Sequence, residues 1–254
     1  MEILIPLGVQ MQIQAMQVHT MHIPDGFINA PTSAVAGVIA VVGLAICLNG
    51  ARRQLDEKTA PLAGLVAVFI FAMQMLNFPV AAGTSGHLLG GALAVILIGP
   101  YAGALAVSVV ILVQALLFAD GGLSAIGLNI INMGLVTAVV GWFVFRWLVK
   151  IIGVSRPKVM TAAFAAGLVS VPMSALAFAL EYAIGGTGTV PIYTVTVVMV
   201  GVHILIGLGE GLITALTVGA VFLVRPDLVY GVHDRLPKKL LVKTPSVSTP
   251  ANGS

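Results

Sequence analysis

The chain has 254 residues, 59% of them hydrophobic and only 8% charged, with a mean hydropathy of +1.09. Soluble domains carry roughly 25% charged residues, so this composition excludes an ordinary water-soluble domain and requires a polytopic membrane protein. The net charge of +3 comes from scattered clusters, with no basic face interleaved with aromatics, which argues against nucleic-acid binding; the lone Cys47 excludes an internal disulfide or a Cys-based zinc cluster.

Residues 1–20 make a poor signal peptide, with no basic n-region, a short apolar run from Ile3 to Val9 and then Gln-rich sequence. They are expected to be a mis-assigned start or a segment removed from the mature protein. That leaves a membrane domain over 21–225 and a cytoplasmic, disordered tail over 226–254. Hydropathy places spans at 32–50, 60–77, 87–99, 101–118, 126–148, 159–181 and 192–224. The apolar run 87–118 is 32 residues long, too long for one span. Gly99-Pro100-Tyr101 divides it, because proline removes a donor and clashes with the preceding helical turn. The expected fold is therefore all-α, a compact bundle of about seven transmembrane helices.

All twelve Lys and Arg residues lie in or beside the connections near 51–59, 99–101 and 149–158 or in the tail. The opposite connections carry Asp25, Asp120 and Glu181 without one basic residue. The positive-inside rule then sets the N-terminus outside and the C-terminus in the cytoplasm. The outer connections read Ile23-Pro24-Asp25-Gly26, Gly83-Thr84-Ser85-Gly86-His87, Asp120-Gly121-Gly122-Leu123-Ser124 and Gly185-Gly186-Thr187-Gly188. Small residues there permit tight turns and close backbone approach, and four such turns on one side suggest a compact cap able to hold a ligand. In the first span, Ala36, Gly37, Ala40 and Gly43 form a small-residue pattern suited to close helix contact, either internal or against a partner.

Chemistry concentrates on three histidines. His22 and His87 sit at the outer membrane edge, each beside a tight turn, which favours reading them as a ligand pair. His203 lies inside the last span, and Glu210, seven residues on, shares its helical face. Glu210 is the one carboxylate deep in a hydrophobic run, and such a residue marks a functional site by default. The competing reading is a structural tie, protonated or hydrogen-bonded to His203 or an asparagine. Gln74 with Asn77, and Asn129 with Asn132, recur at i and i+3 and suit either that interior or interhelical bonding.

A chain beginning at Met21 would offer three nitrogens to one ion: its α-amine, the deprotonated His22 backbone nitrogen and the His22 imidazole Nδ1. Adjacent five- and six-membered rings hold them roughly in a plane, and a second imidazole, naturally His87, would complete the square. Square nitrogen ligation suits Ni(II), Cu(II) and low-spin Co(II), whereas zinc prefers a tetrahedron.

Several ordered stretches carry a resemblance. They are Met21-His22-Ile23-Pro24-Asp25-Gly26, the run Asn77 through Leu88, Gln114 through Gly122, Asn129-Ile130-Ile131-Asn132-Met133-Gly134, and His203 through Glu210. On these the chain resembles the CbiM/NikM family, the substrate-binding membrane components of energy-coupling-factor transporters for cobalt and nickel, over roughly residues 21–225. The resemblance implies metal ligation by Met21, His22 and His87, the two histidines standing 65 residues apart. Asn77, Thr84, Ser85, Asn129, His203 and Glu210 are then candidates to surround the ion or its path. It also implies a prokaryotic cytoplasmic membrane, a transmembrane coupling subunit, two cytoplasmic ATPases and a small accessory membrane subunit of CbiN/NikN type. Cobalamin synthesis is one pathway such a transporter would feed. No resident cofactor is expected, only the transported ion. The chain has no G-x-x-x-x-G-K-[ST] phosphate loop, so ATP hydrolysis is assigned to separate subunits. The alternatives are an ion-coupled metal carrier or channel using Glu210 and His203, and a metalloenzyme, for which no H-E-x-x-H motif occurs.

Overall fold

A computed structural model describes residues 22–54, 60–76, 78–81 and 84–236. Among these described residues seven α-helices follow one another: α1 (Ala30–Gln54), α2 (Ala60–Gln74), α3 (Gly91–Ile98), α4 (Pro100–Leu117), α5 (Ile126–Ile152), α6 (Arg156–Gly185) and α7 (Ile192–Val224). The all-helical expectation holds for the body, with one departure. A small antiparallel hairpin, β1 (Phe78–Ala81) and β2 (Thr84–Gly86), lies between α2 and α3, with Phe78 opposite Gly86.

Among the described residues, five helices, α1 and α4 to α7, are long and apolar enough to cross a membrane. The two that fall short of the expected seven spans are α2, of 15 residues, and α3, of eight. At 1.5 Å per residue α3 is only about 12 Å long, against a hydrocarbon core of about 30 Å. All eight of its residues are buried. The predicted span 87–99 is thus a leg outside any helix or strand followed by a two-turn helix, enclosed by α2, α4, α5, α6 and α7. Hydropathy cannot separate a lipid-facing helix from one buried in protein, because both are apolar. The break before α4 falls at the expected place: Gly99 has φ +89° and Pro100 opens the next helix.

Side chains sort by partner rather than by polarity. Val38, Ile39 and Val42 on α1 and Leu212 and Leu216 on α7 face outward, as a lipid-facing surface requires. The small residues of α1 turn inward: Ala36 and Ala40 are buried, and a Cβ on Gly127 of α5 would sit 2.6 Å from the Gly37 Cα. Their close contact is therefore internal packing. Similarly, a Cβ on Gly167 of α6 would meet the Gly211 Cα of α7 at 2.8 Å.

Two features differ from the sequence expectation at either end of the bundle. Helix α5 opens into a π-helix over Ile130–Val136. After α7, where a disordered tail was expected from 226, two short 3-10 helices, Pro226–Leu228 and Tyr230–Arg235, fold back onto the bundle. Val229, Val232 and Leu236 are buried in the main core, and Arg146 of α5 forks onto Asp234 at 2.6 and 2.8 Å. Three apolar side chains spaced by three and four residues suffice to bury this segment, which hydropathy averaging over a long polar tail conceals.

Candidate metal site

The segment from His22 to Asn29 is woven into the end of the bundle where α1 begins. Ile23 N–H donates to Asn129 Oδ1 at 3.0 Å, and Asn129 Nδ2 donates back to the Ile23 carbonyl at 3.2 Å. Gly122 N–H adds a bond of 2.9 Å to that same carbonyl. Asp25 accepts from the Ser124 amide at 2.7 Å and hydroxyl at 2.6 Å, and these bonds hold its carboxyl below the usual range. Further along, Ile28 pairs with Gly186, and Thr187 Oγ1 donates to the Gly26 carbonyl at 2.7 Å. Three of the four glycine-rich connections thus close on one another. Below them Phe27 stacks on Phe178 at 6.0 Å, part of a small second core with Ile28, Leu128 and Tyr182.

The glycines after Asp120 have a specific reason. Gly121 has φ +96°, and a Cβ there would lie 2.8 Å from the His22 Cβ. A Cβ on Gly122 would lie 2.3 Å from the Asp25 nitrogen. The turn presses flat against the segment that carries His22.

His22 and His87, far apart in sequence, meet here with ring centroids 5.2 Å apart in an edge-on arrangement. Both are buried, at 5% and 7% exposure. His22 Nδ1–H donates to the Asp120 carbonyl at 3.1 Å and lies 3.4 Å from the Asp120 carboxylate. His87 Nδ1–H donates to the Leu88 carbonyl at 2.8 Å. A carbonyl only accepts, so each ring carries a proton on Nδ1, and in a neutral ring the lone pair then lies on Nε2. The His22 Nε2 is buried without a hydrogen-bond partner. A chelate through His22 Nδ1 would therefore have to exchange Asp120 for the ion. Among the described residues, no group of three or more His, Cys, Asp or Glu gathers where an ion would be held.

Met21 and Asn77 lie outside the described residues. Thr84 and Ser85 contribute the backbone of β2, directly ahead of His87. Asn129 and His203 both border a cavity of about 220 Å³ that also touches His22, Asn132, Met133 and Phe178. The π-helix carries Asn132 and Met133 onto its wall, in keeping with the recurrence of such turns at functional sites. Asn132 Nδ2 donates to Glu181 at 2.6 Å.

The bond from Glu210 to His203 or an asparagine that the competing structural reading offered is not made among the described residues. His203 Nδ1–H donates to the Met199 carbonyl at 2.8 Å. Glu210 turns instead to the leg that follows His87, accepting from Leu89 N–H at 2.7 Å and Gly90 N–H at 2.8 Å. Two helical residues on one face share a partner only if the neighbouring element is the same along that face, and here it changes. The sequence reading left out Asp120 as a partner of His22 and Glu181 as a partner of Asn132. The signal for Asp120 was its place directly before the Gly-Gly turn; Glu181 had none beyond being an acidic residue at a span end.

Residues 22–228 match CbiM, the cobalt uptake substrate-specific transmembrane region. The chain is 41% identical over 209 residues to a protein of Archaeoglobus fulgidus provisionally named a fused nickel transport protein, NikMN, covering 82% of this chain and 68% of that one. It is 34% identical over 218 residues to the cobalt transport protein CbiM of Geobacter sulfurreducens, covering 83% and 62% of the two chains. A crystal structure of a transition metal transporter superposes with a TM-score of 0.72 at 26% identity, covering 84% of this chain and 97% of the other.

Proposed function

Because the chain belongs to the CbiM family of cobalt uptake substrate-specific transmembrane regions, we propose that it is the metal-capture component of an ATP-driven energy-coupling-factor transporter for Ni(II) or Co(II). The observation that carries this reading is the meeting of two buried imidazoles 5.2 Å apart, one of them the side chain next to Met21. In a working protein that begins at Met21, the α-amine, the His22 backbone nitrogen and His22 Nδ1 form one chelate, and His87 Nε2 supplies the fourth nitrogen. Asp120 holds His22 Nδ1 until the ion takes its place. Four nitrogens in a plane favour nickel and cobalt over zinc.

The protein is a multi-pass membrane protein, and we assign it to the cytoplasmic membrane of a prokaryote, with the site outside and the basic connections inside. Energy comes from a transmembrane coupling subunit and two ATPase subunits, since this chain has no phosphate loop of its own. Relatives whose names join M and N in one chain support a small accessory subunit of the N type. A supply of cobalt to cobalamin synthesis or of nickel to an enzyme fits equally with this ligand set.

The test is metal retention by purified protein and uptake in cells with and without the ATPase subunits. His22→Ala and His87→Ala are each expected to abolish tight nickel or cobalt binding while leaving membrane insertion intact. Uptake is expected to need the ATPases, and to cease when a residue that cannot be removed is fixed before Met21. Tight binding by the double histidine variant would overturn the site, and ATPase-independent uptake would overturn the transporter class.

A further inference from the structure

The leg between His87 and α3 lies outside any helix or strand and is buried: Leu88 and Leu89 are 5% and 4% exposed. Such a segment lacks the regular backbone pairing of a helix or sheet, and inside a bilayer no water is present to replace it. Five of its backbone groups are nevertheless satisfied, four of them by side chains. The Leu88 carbonyl accepts from His87 itself at 2.8 Å. The Leu89 carbonyl accepts from Gln74 Nε2 of α2 at 2.7 Å. The Leu89 and Gly90 amides each take one oxygen of Glu210 on α7, at 2.7 and 2.8 Å. The Gly90 carbonyl accepts from Ala94 N–H at 3.0 Å as α3 begins. Gly90 has φ +82°, and a Cβ there would lie 2.7 Å from Ile70, so the leg is also fixed from the side.

We propose that Glu210 is a positioning residue for the metal ligand His87, its two oxygens gripping consecutive amides of the leg that ends in that histidine; the inference rests on the metal-capture reading above. Leu89 is two residues from His87, at most about 7 Å of chain, so a shift of the gripped amides is passed to the His87 Cα with little slack. A carboxylate serving only to tie helices would bond to another helix. Both oxygens of Glu210 go to this leg instead, and Glu210 is itself 2% exposed.

The protein in the form that begins at Met21, purified from membranes, is tested by equilibrium dialysis against Ni(II) with elemental analysis, alongside thermal denaturation. Glu210→Gln keeps the shape but sets an NH2 donor against a backbone N–H. It is expected to weaken nickel binding by roughly 10- to 100-fold, the usual cost of losing a group that orients a ligand, and to shift the visible absorption of the Co(II)-loaded protein. Glu210→Asp keeps both acceptor oxygens on a stem about 1.5 Å shorter and is expected to lose less. A role in packing alone predicts the reverse order, with the isosteric Gln better tolerated than Asp. That order would overturn the proposal, as would a lowered melting temperature with unchanged affinity in the folded fraction. His87→Ala in the same assay separates the two readings. If it binds nickel tightly, the capture site is wrong; if it loses nickel while Glu210→Gln keeps it, only the role of Glu210 falls.

Discussion

Replacing Gly121 with alanine tests the cap in its most confined spot. The residue has φ +96°, and the added Cβ would stand 2.8 Å from the His22 Cβ. Carbon atoms in good contact sit at roughly 3.5–4.0 Å, so His22 or the turn must retreat by about 1 Å. Metal sites tolerate departures of only about 0.2 Å in ligand distance. The metal-free cap relaxes by letting the turn drift from His22, and binding forces it back. The backbone strain of about 1–3 kcal/mol then appears in the binding constant, as a loss of roughly 5- to 150-fold at 1.4 kcal/mol per decade. Gly26→Ala is the control, since its φ is +77° but nothing lies within 4 Å of the new Cβ. It has the strain without the collision, and its effect should stay below about tenfold. Nickel titration of both purified variants decides the matter. Equal losses in the two, or wild-type affinity in Gly121→Ala, would refute the reasoning that this turn is glycine because His22 leans on it.

Asn129→Ala removes both bonds to Ile23 and leaves a partly buried amide and carbonyl without that partner, at a cost of about 1–3 kcal/mol. Hydrogen exchange at the Ile23 amide should accelerate and nickel affinity fall together; unchanged exchange would show that Gly122 alone holds the segment. Arg146→Ala should free the segment 226–236, read as faster tryptic cleavage after Arg235. Because the pair is partly exposed, at 26% and 58% for the two side chains, the loss of stability should be no more than about 1 kcal/mol. The Arg146 fork holds the Asp234 carboxyl below its ordinary range. A depressed folded value means that this contribution is complete above the free aspartate value of about 3.9 and fades as pH falls through the lower folded one. Protection of this segment, read by hydrogen exchange corrected for the intrinsic rate at each pH, should therefore be level through neutral pH and decline only in acid below roughly pH 4. Decline already at pH 6 would point to a different group.

The sequence by itself determined the medium, the helical class and the chemistry at stake. Apolar runs between clustered basic residues leave few alternatives to a membrane bundle, because the cost of exposing such surface to water is additive along the chain. It also singled out the two imidazoles of the proposed site: His22 stands next to Met21 and His87 follows a tight Gly-Thr-Ser-Gly turn, and both properties are local. What only the tertiary structure decided is who meets whom. His22 reaches Asp120 across 98 residues and Glu210 reaches Leu89 across 121, distances over which hydropathy and helical period carry no information. The same holds for α3, whose eight residues read as a span because burial in protein and burial in lipid select the same apolar side chains. Pairing is a property of the packed bundle, and so the partners of His22 and Glu210 came from the fold, while the histidines themselves stood out in the chain.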